Sequence, residues 1–288
     1  MRARNKSLVE ALKIAIQGEL GSNSHMATMA MLGNESELEI IACSLSGEVF
    51  AKVVDGAVDG AVLPIENSLH GSVAEHYDLL LEEPVHIVRE TLLRVRHNLV
   101  AMPGVELDDL RKVISHPVAL SQCRRFLAAH PEFEAAPFYD TAGSVKHIMA
   151  SRLKDVAGIA PALAATEYGG EVLAAGIEDH PQNFTRFHLV VRGEASASRP
   201  DPSGEADKMS LAFAIEHRPG TLVAALKRLA EAGVNLTKIE SRPVPGSPWE
   251  YVFYIDVRFD SAERADKAVD AMKKHCRMLK VLGRYRAA

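Results

Sequence analysis

The sequence predicts two α/β lobes followed by a smaller α+β unit, and three observations lead to this fold class. Short β-branched runs alternate with helical stretches between residues 14 and 192. Residues 193–207 contain no large apolar side chain and are rich in Gly, Ser and Pro. Beyond them, apolar runs follow the order strand, helix, strand, strand, helix, strand. Regular alternation of strands and helices is typical of βαβ units in a mostly parallel sheet.

The elements of the first lobe follow from runs of apolar and β-branched residues. Residues 14–16, 39–43 and 60–63 predict strands, and residues 24–32 and 46–54 predict the helices between them. In the second lobe the predicted strands are 98–101, 112–115, 134–138 and 156–160, and the predicted helices are 119–129 and 141–154. We expect a ligand-binding cleft between the two lobes.

The stretch 193–207 predicts a linker, because turn-forming residues dominate it. After it, strands at 209–215, 234–241, 251–259 and 278–282 and helices at 221–232 and 262–275 form a ferredoxin-like βαββαβ unit. Gly220 precedes the first of these helices, and Gly233 ends it. The predicted domains are therefore 14–192, a linker at 193–207, and 208–288.

Composition excludes several classes of protein. The chain has 288 residues, of which 47% are hydrophobic and 25% charged, as in ordinary globular proteins. Its net charge of −5 and dispersed Lys and Arg residues argue against a nucleic-acid partner. Three widely spaced cysteines indicate neither a disulfide framework nor a zinc site. Because no signal peptide and no apolar run of membrane-spanning length appear, we expect a cytoplasmic protein without a membrane partner.

Polar residues follow one predicted strand of each lobe. Asn67 and Ser68 form a turn after the strand at 60–63, and Ser72 is the expected N-cap of the next helix. Asp140 or Thr141 is expected to cap the helix of the second lobe in the same way. Helix starts attract carboxylates, so the two turns predict an anion-binding cleft. The alternative is that these residues only turn or cap the chain.

Residues 183–187 combine a hydroxyl, a fixed cation and aromatic rings at the start of a strand. Strand alternation places Thr185 and Phe187 on one face and Arg186 on the other. Such a set suits a small acid with a ring, although a surface strand would have the same pattern.

Three other features do not indicate a catalytic, metal or cofactor site. Cys123 is expected in mid-helix among apolar residues, where a thiol is usually inert packing. The histidines show no His-x-x-x-His pair, so we expect no metal. The loop that starts at Gly18 lacks the Gly-x-Gly-x-x-Gly order of dinucleotide-binding proteins, so we expect no nucleotide cofactor.

Together these segments resemble the prephenate dehydratase family from about residue 14 onward, and the C-terminal unit resembles an ACT domain. The matching segments are 64–68, 71–73, 115–117, 122–123, 140–142 and 183–187. The resemblance implies a periplasmic-binding-protein-like pair of lobes around a cleft. It also implies a carbon-oxygen lyase that converts prephenate to phenylpyruvate, water and CO2 in phenylalanine biosynthesis without a cofactor.

The resemblance also implies roles for individual residues. Thr185 corresponds to the family's essential hydroxyl and is expected to donate to the departing oxygen. Asn67, Ser68 and Thr141 are expected to bind the carboxylates and the pyruvyl oxygen. Arg186 is expected to pair with a substrate carboxylate, and Phe187 to line the ring pocket.

The ACT resemblance implies feedback control by L-phenylalanine and assembly as a homodimer or homotetramer. In that family the effector site forms at a subunit interface. The residues of this chain that correspond to the effector site are Gly220, Thr221, Leu222, Asn235, Leu236, Glu240 and Ser241.

Two segments depart from the family pattern, and two alternatives for function remain. Gly220-Thr221 replaces the usual Gly-Ala of the ACT domain, a change expected to affect effector affinity. Members usually carry Gly-Pro-x-Gly-Thr-Phe-Ser after the first strand, whereas residues 17–24 of this chain lack the proline and the aromatic residue. The change is expected to affect the fit of the substrate. One alternative is an arogenate dehydratase, whose substrate has an amine in place of the keto group. The other is a non-catalytic amino-acid sensor.

Overall fold

The structure is a computed structural model that describes residues 11–33, 37–193, 206–244 and 250–288. The described chain divides into two compact units. The first holds the residues up to Val73 together with Thr91–Phe187, and the second holds Ala74–Glu90 and the residues from His188 onward. Most of the predicted linker, residues 194–205, lies outside the described residues. In the described ranges, no helix is long and apolar enough to cross a lipid bilayer.

The elements before residue 193 follow the predicted alternation of strands and helices. The strands are β1 (Leu12–Gln17), β2 (Leu38–Cys43), β3 (Gly60–Asn67), β4 (Gly71–Ser72), β5 (Val85–Arg94), β6 (Asn98–Ala101), β7 (Lys112–Ser115), β8 (Glu134–Pro137), β9 (Val156–Ala160), β10 (Glu171–Ala175) and β11 (Phe184–Arg192). The helices are α1 (Asn23–Leu32), α2 (Ser46–Val54), α3 (Ala74–Glu82), α4 (Pro117–Ser121), α5 (Arg124–Ala129), α6 (Thr141–Ser151) and α7 (Ala162–Tyr168), with a short 3-10 turn at Leu107–Asp109.

Two sheets form the two lobes of the first unit. In the first lobe β1 pairs in parallel with β2 and β3, and β11 lies beside β3. In the second lobe β7 pairs in parallel with β8 and β9, while β6 and β10 extend the sheet in the antiparallel sense. The predicted two-lobed α/β fold is confirmed, with a mixed second sheet. Asn67 ends β3 at the carboxyl edge of the first sheet, where parallel α/β sheets bind ligands.

The C-terminal elements of the second unit are β12 (Lys208–Ala214), α8 (Thr221–Glu231), β13 (Asn235–Pro243), β14 (Tyr251–Arg258), α9 (Ala262–Lys273) and β15 (Met278–Tyr285). Their order confirms the predicted βαββαβ unit. The four strands form an antiparallel sheet in the order β13-β14-β12-β15. Gly220 and Gly233 flank α8 with φ angles of 84° and 72°, a left-handed backbone that glycine adopts without steric cost.

Residues that precede β12 in the chain pack against this sheet inside the second unit. The Arg242 guanidinium donates to the Asp78 carboxylate of α3, with Nε 2.7 Å from Oδ1. Gly283 of β15 lies opposite Ile87 of β5 in parallel pairing. The α3 helix and the first part of β5 therefore belong to the same compact body as the βαββαβ sheet.

A buried charge cluster adds to this packing. The Glu90 carboxylate lies 2.7 Å from Lys208 Nζ and 3.5 Å from His188 Nε2. Burial alone would raise the pKa of Glu90, but the hydrogen bonds from His188 and Lys208 hold it well below its usual value. The compact units thus divide the chain differently from the predicted domains 14–192 and 208–288, because these contacts join residues 74–90 to the C-terminal unit.

One predicted local feature is wrong, and a second stays a prediction. The helix expected at 119–129 is interrupted at Gln122, because the Asp179 carboxylate accepts from the backbone N–H groups of Arg124 and Arg125 and caps a second helix start. Ser72 lies opposite Glu66 in the pairing of β3 with β4, and α3 begins at Ala74, so a role of Ser72 as the N-cap stays a prediction.

The close pairing of β15 with β5 predicts a strong steric effect at Gly283. A Cβ at this position would clash with the backbone oxygen of Ile87. We expect Gly283→Ala to lower the free energy of unfolding by roughly 1–3 kcal/mol, measured by urea denaturation.

A matched control is Gly47→Ala in α2, where an added Cβ meets no atom within 4 Å. Equal stability of the two variants would contradict the close packing at Gly283.

Candidate active site

Asn67 ties the end of β3 to the segment that opens β11. Its amide nitrogen lies 2.7 Å from Asn183 Oδ1 and 2.9 Å from Thr185 Oγ1. The Phe184 carbonyl oxygen is 3.2 Å from the same nitrogen. The motif at 183–187 and the turn after β3, which are far apart in sequence, therefore meet through a single side chain.

The remaining polar atoms of this turn also bond within the protein. Asn67 Oδ1 accepts from the backbone N–H groups of Leu69 and His70, each at 3.0 Å. Ser68 Oγ accepts from the backbone N–H of Phe184 at 3.0 Å. Asn67 and Ser68 therefore shape the site, and their predicted contact with a substrate carboxylate stays a prediction.

The Thr185 hydroxyl is held so that its proton is available. The oxygen accepts from Asn67, because an amide nitrogen only donates. In the described part of the chain this is the one hydrogen bond of the Thr185 hydroxyl, and a hydroxyl has a single proton to give. Thr185 is 8% exposed and its neighbours Asn67 and Asn183 are polar, so the hydroxyl does not lie in an apolar interior.

The polar contacts continue from Asn183 into the second lobe. Asn183 Nδ2 donates to Gln122 Oε1 at 2.9 Å, and the same oxygen lies 2.7 Å from His97 Nε2. Gln122 Nε2 lies 2.9 Å from His70 Nδ1, and His70 Nε2 lies 3.2 Å from Ser121 Oγ. We call Thr185, Asn67, Asn183, Gln122, His70 and His97 the amide network.

Donor and acceptor roles in the amide network are set by Gln122. Its oxygen requires a donor at His97 Nε2, and its nitrogen requires an acceptor at His70 Nδ1. Burial lowers the pKa of His97, which keeps the ring neutral with the proton on Nε2. Each imidazole is thereby fixed in one tautomer.

Arg186 and Phe187 lie away from the amide network. The Arg186 guanidinium pairs with the Glu66 carboxylate at 2.9 Å, which agrees with the predicted alternation along β11. Phe187 is 1% exposed. The pairing of Arg186 with a substrate carboxylate and the contact of Phe187 with a ring both stay predictions.

A cavity of about 580 Å³ lies between the two lobes of the first unit, within the size range of small-molecule sites. Pro64 of β3 and Val73 contribute its wall on the first lobe. Neither Thr185 nor Asn67 lines it, but Pro64, which does, lies three residues before Asn67 in β3. The polar and charged residues of the lining are Gln17, Glu19, Ser44, His116, Tyr139, Asp140 and Lys146.

An opposite-charge pair spans this cavity. Glu19, in the loop after β1, places Oε2 2.7 Å from Lys146 Nζ of α6. The Tyr139 hydroxyl donates to the other carboxylate oxygen at 2.9 Å. Burial, followed by the hydrogen bond to Glu19, raises the pKa of Tyr139 to about 12, so the phenol stays protonated. We call Glu19, Lys146 and Tyr139 the interlobe ion pair.

The start of α6 adjoins the interlobe ion pair. Asp140 caps the helix as predicted, because its Oδ1 accepts from the Gly143 N–H at 2.7 Å. Burial raises the pKa of Asp140, against the lowering effect of that hydrogen bond. Thr141 follows Asp140 as the first helical residue but does not line the cavity, and its contact with a substrate stays a prediction.

Cys123 is buried between α4 and α5 rather than in mid-helix. Burial raises its pKa well above the usual value, so the thiolate needed of a nucleophile is disfavoured. In the described residues, no group of three or more His, Cys, Asp or Glu side chains is arranged to hold a metal ion.

The predicted effector residues occupy two places in the second unit. Gly220, Thr221 and Leu222 line a cavity of about 200 Å³ at the start of α8. Asn235, Leu236, Glu240 and Ser241 lie on β13, which is an edge strand, and do not line that cavity. Their shared role in effector binding stays a prediction.

The sequence did not assign a functional role to Gln122, His97 or Glu19, which the structure places in the site. Gln122 lay inside a recognised motif, but its contacts depend on the break between α4 and α5. His97 has no sequence signal, because only the fold brings it to Gln122. Glu19 occupies the place of the family's proline, and this departure was the signal that marked it.

Comparisons with known proteins agree along most of the chain. The sequence profile of the prephenate dehydratase family matches residues 14–195, and that of the ACT domain matches residues 210–276. An Arabidopsis thaliana protein named arogenate dehydratase/prephenate dehydratase 2, chloroplastic, is 38% identical over 95% of this chain and 72% of its own length.

Two solved structures are also similar. The prephenate dehydratase from Arthrobacter aurescens in complex with L-Phe has a TM-score of 0.85 and 33% identity, and the match covers 96% of this chain and 90% of that one. A structure titled GqqA, a novel type of quorum quenching acylases, has the same TM-score and identity over 96% of this chain and 98% of that one.

The central position of Asn183 in the amide network predicts a cost in stability. Asn183→Ala removes one partner each of Asn67 and Gln122 at a position where Asn183 itself is fully buried. We expect the free energy of unfolding to fall by roughly 1–3 kcal/mol, measured by urea denaturation.

The neighbouring exposed residue Gln182 supplies the control. Gln182→Ala removes a solvent-facing side chain and should change stability by less than about 0.5 kcal/mol. If Asn183→Ala were equally neutral, the network would not stabilise the fold.

Proposed function

Because the chain belongs to the prephenate dehydratase family and carries an ACT domain, we propose that it converts prephenate to phenylpyruvate, water and CO2 under feedback control by L-phenylalanine. The family assignment makes it a dehydratase. We propose more specifically a lyase reaction on prephenate. The interlobe cavity and the available proton of Thr185 support this reaction.

The reaction breaks two bonds of the substrate ring. The bond to the ring carboxylate breaks to release CO2, and its electron pair enters the ring as the aromatic system forms. At the opposite carbon the C–O bond breaks, and the oxygen leaves with a proton as water. Since aromatisation drives the reaction downhill, the main requirement is a proton or hydrogen-bond donor at the departing oxygen.

Thr185 is the proposed donor, and its hydrogen bond with Asn67 is the observation that carries this role. Because the Asn67 amide donates to Thr185 Oγ1, the threonine proton must point elsewhere. Asn67 acts as a positioning residue for Thr185, and Asn183 and Gln122 orient Asn67 in turn. A donor fixed in advance at a developing charge costs no reorganisation during the reaction.

The charged groups of the substrate belong in the interlobe cavity in this proposal. Lys146 supplies a cation, and Thr141 lies at the start of α6, where a helix dipole favours negative charge. Binding of these charged groups in the cavity would fix the ring relative to Thr185.

Assembly and location are further parts of the proposal. The family's effector site at a subunit interface supports a homodimer or homotetramer, and the free cysteines support a cytoplasmic location, where thiols stay reduced. The runner-up function is arogenate dehydration, which the name of the Arabidopsis thaliana relative favours and which uses the same bond changes.

Thr185→Ala should lower kcat by roughly 10²- to 10⁴-fold with little change in KM, because the hydroxyl contact matters mainly in the transition state. Steady-state kinetics with prephenate measures both constants.

Thr185→Ser is the matched control, because it keeps a hydroxyl beside Asn67 and should retain most of the turnover. Near-native turnover of Thr185→Ala would defeat the assignment of the donor.

L-phenylalanine should bind the ACT domain and slow the enzyme, and Asn235→Ala should weaken both effects. Isothermal calorimetry and inhibition assays measure them. Lys227→Ala, an exposed change on α8, serves as the control and should leave both effects intact. Absence of heat with L-phenylalanine, together with unchanged activity, would remove the regulatory part of the proposal.

A further inference from the structure

The interlobe ion pair lies where a substrate side chain must fit. Glu19 and Lys146 face each other across the cavity with 20% and 50% of their side chains exposed. Ion pairs with this much access to water contribute little to stability. The pair therefore contributes little to holding the two lobes together, and its two charges are accessible to a ligand.

The position of Glu19 is fixed by the backbone around it. Gly18 has a φ of 96°, and a Cβ there would lie 2.7 Å from Asp140 Oδ2. Gly21 has a φ of 80°, and a Cβ there would lie 2.6 Å from the Ala164 Cα. Since glycines on both sides let the loop approach the second lobe closely, Glu19 is held in the cavity.

The orientation of the Glu19 carboxylate is fixed as well. The Tyr139 hydroxyl donates to Oε1, which leaves Oε2 directed at Lys146 Nζ. A carboxylate and an ammonium side by side form the complement of an α-amino acid, whose own ammonium and carboxylate are neighbours. A ligand ammonium would pair with Glu19 and a ligand carboxylate with Lys146.

A keto acid does not satisfy this pair. The pyruvyl group of prephenate offers a carboxylate to Lys146 but no cation to Glu19, whose charge then faces an anionic ligand. Asp140 stands in the same wall and adds no positive charge. The amine of arogenate would supply the missing cation.

We propose that Glu19 is a specificity-determining residue that binds the ammonium group of an α-amino-acid side chain on the substrate, while Lys146 binds the adjacent carboxylate. The enzyme then accepts arogenate in addition to prephenate, and Glu19 sets the ratio between them. This inference rests on the proposed dehydratase function and refines its substrate class.

The test compares kcat/KM for the two substrates in the wild type and in Glu19→Gln. Phenylpyruvate is the product assayed from prephenate, and phenylalanine is the product assayed from arogenate. Glu19→Gln keeps the size of the side chain but removes its charge. We expect the arogenate to prephenate ratio of kcat/KM to fall about tenfold or more, through loss on arogenate, because the ammonium loses a charged partner.

Two further variants separate the roles. Lys146→Met should lower kcat/KM for both substrates, since both carry the carboxylate. Glu39→Gln removes an exposed carboxylate of β2 that pairs with Lys13 outside the cavity, and should leave the ratio unchanged.

The outcomes are distinguishable. A folded Glu19→Gln enzyme with the wild-type ratio would overturn the role of Glu19 and leave the dehydratase function standing. A wild type that converts neither substrate would overturn the proposed function, and this inference with it. If Glu19→Gln failed to fold, Tyr139→Phe would replace it, because it removes the hydrogen bond that orients Glu19. A smaller fall in the ratio is then expected, and no change would contradict the proposal.

Discussion

The hydrogen bond from the Asn67 amide to the Thr185 hydroxyl is the contact on which the active site depends. It joins the end of β3 to the start of β11 and decides which way the threonine proton points. A threonine hydroxyl is a weak acid, so the donor role proposed for Thr185 depends on its placement. The pairing of β3 with β11 supplies that placement, because it brings the end of one strand beside the start of the other.

The sequence predicted the fold well where local pattern and tertiary packing agree. The βαββαβ unit followed from apolar periodicity and from Gly220 and Gly233, which flank α8 as predicted. The helix expected at 119–129 was wrong because Asp179, more than fifty residues later, caps a second start at Arg124. No local signal reports a capping group that arrives from so far along the chain.

The candidate site was predictable in its parts but not in its connections. Thr185, Asn67 and Asp140 were marked by motif and by turn chemistry, since caps and strand ends have recognisable residue types. The hydrogen bond between Asn67 and Thr185 was not predicted. It depends on the distance between β3 and β11, which the sequence does not give. Glu19 was visible only as a departure from a family pattern, and its pairing with Lys146 required the cavity geometry.

The three amides of the network impose a chemical restriction on this protein. Asn67, Asn183 and Gln122 each donate through nitrogen and accept through oxygen. A carboxylate of the same shape only accepts. Deamidation, the slow hydrolysis by which side-chain amides become acids as proteins age, would therefore replace a donor by an acceptor and set two acceptors against each other, with little change in side-chain shape. The working lifetime of the enzyme is thus linked to how well these interior nitrogens are shielded from water.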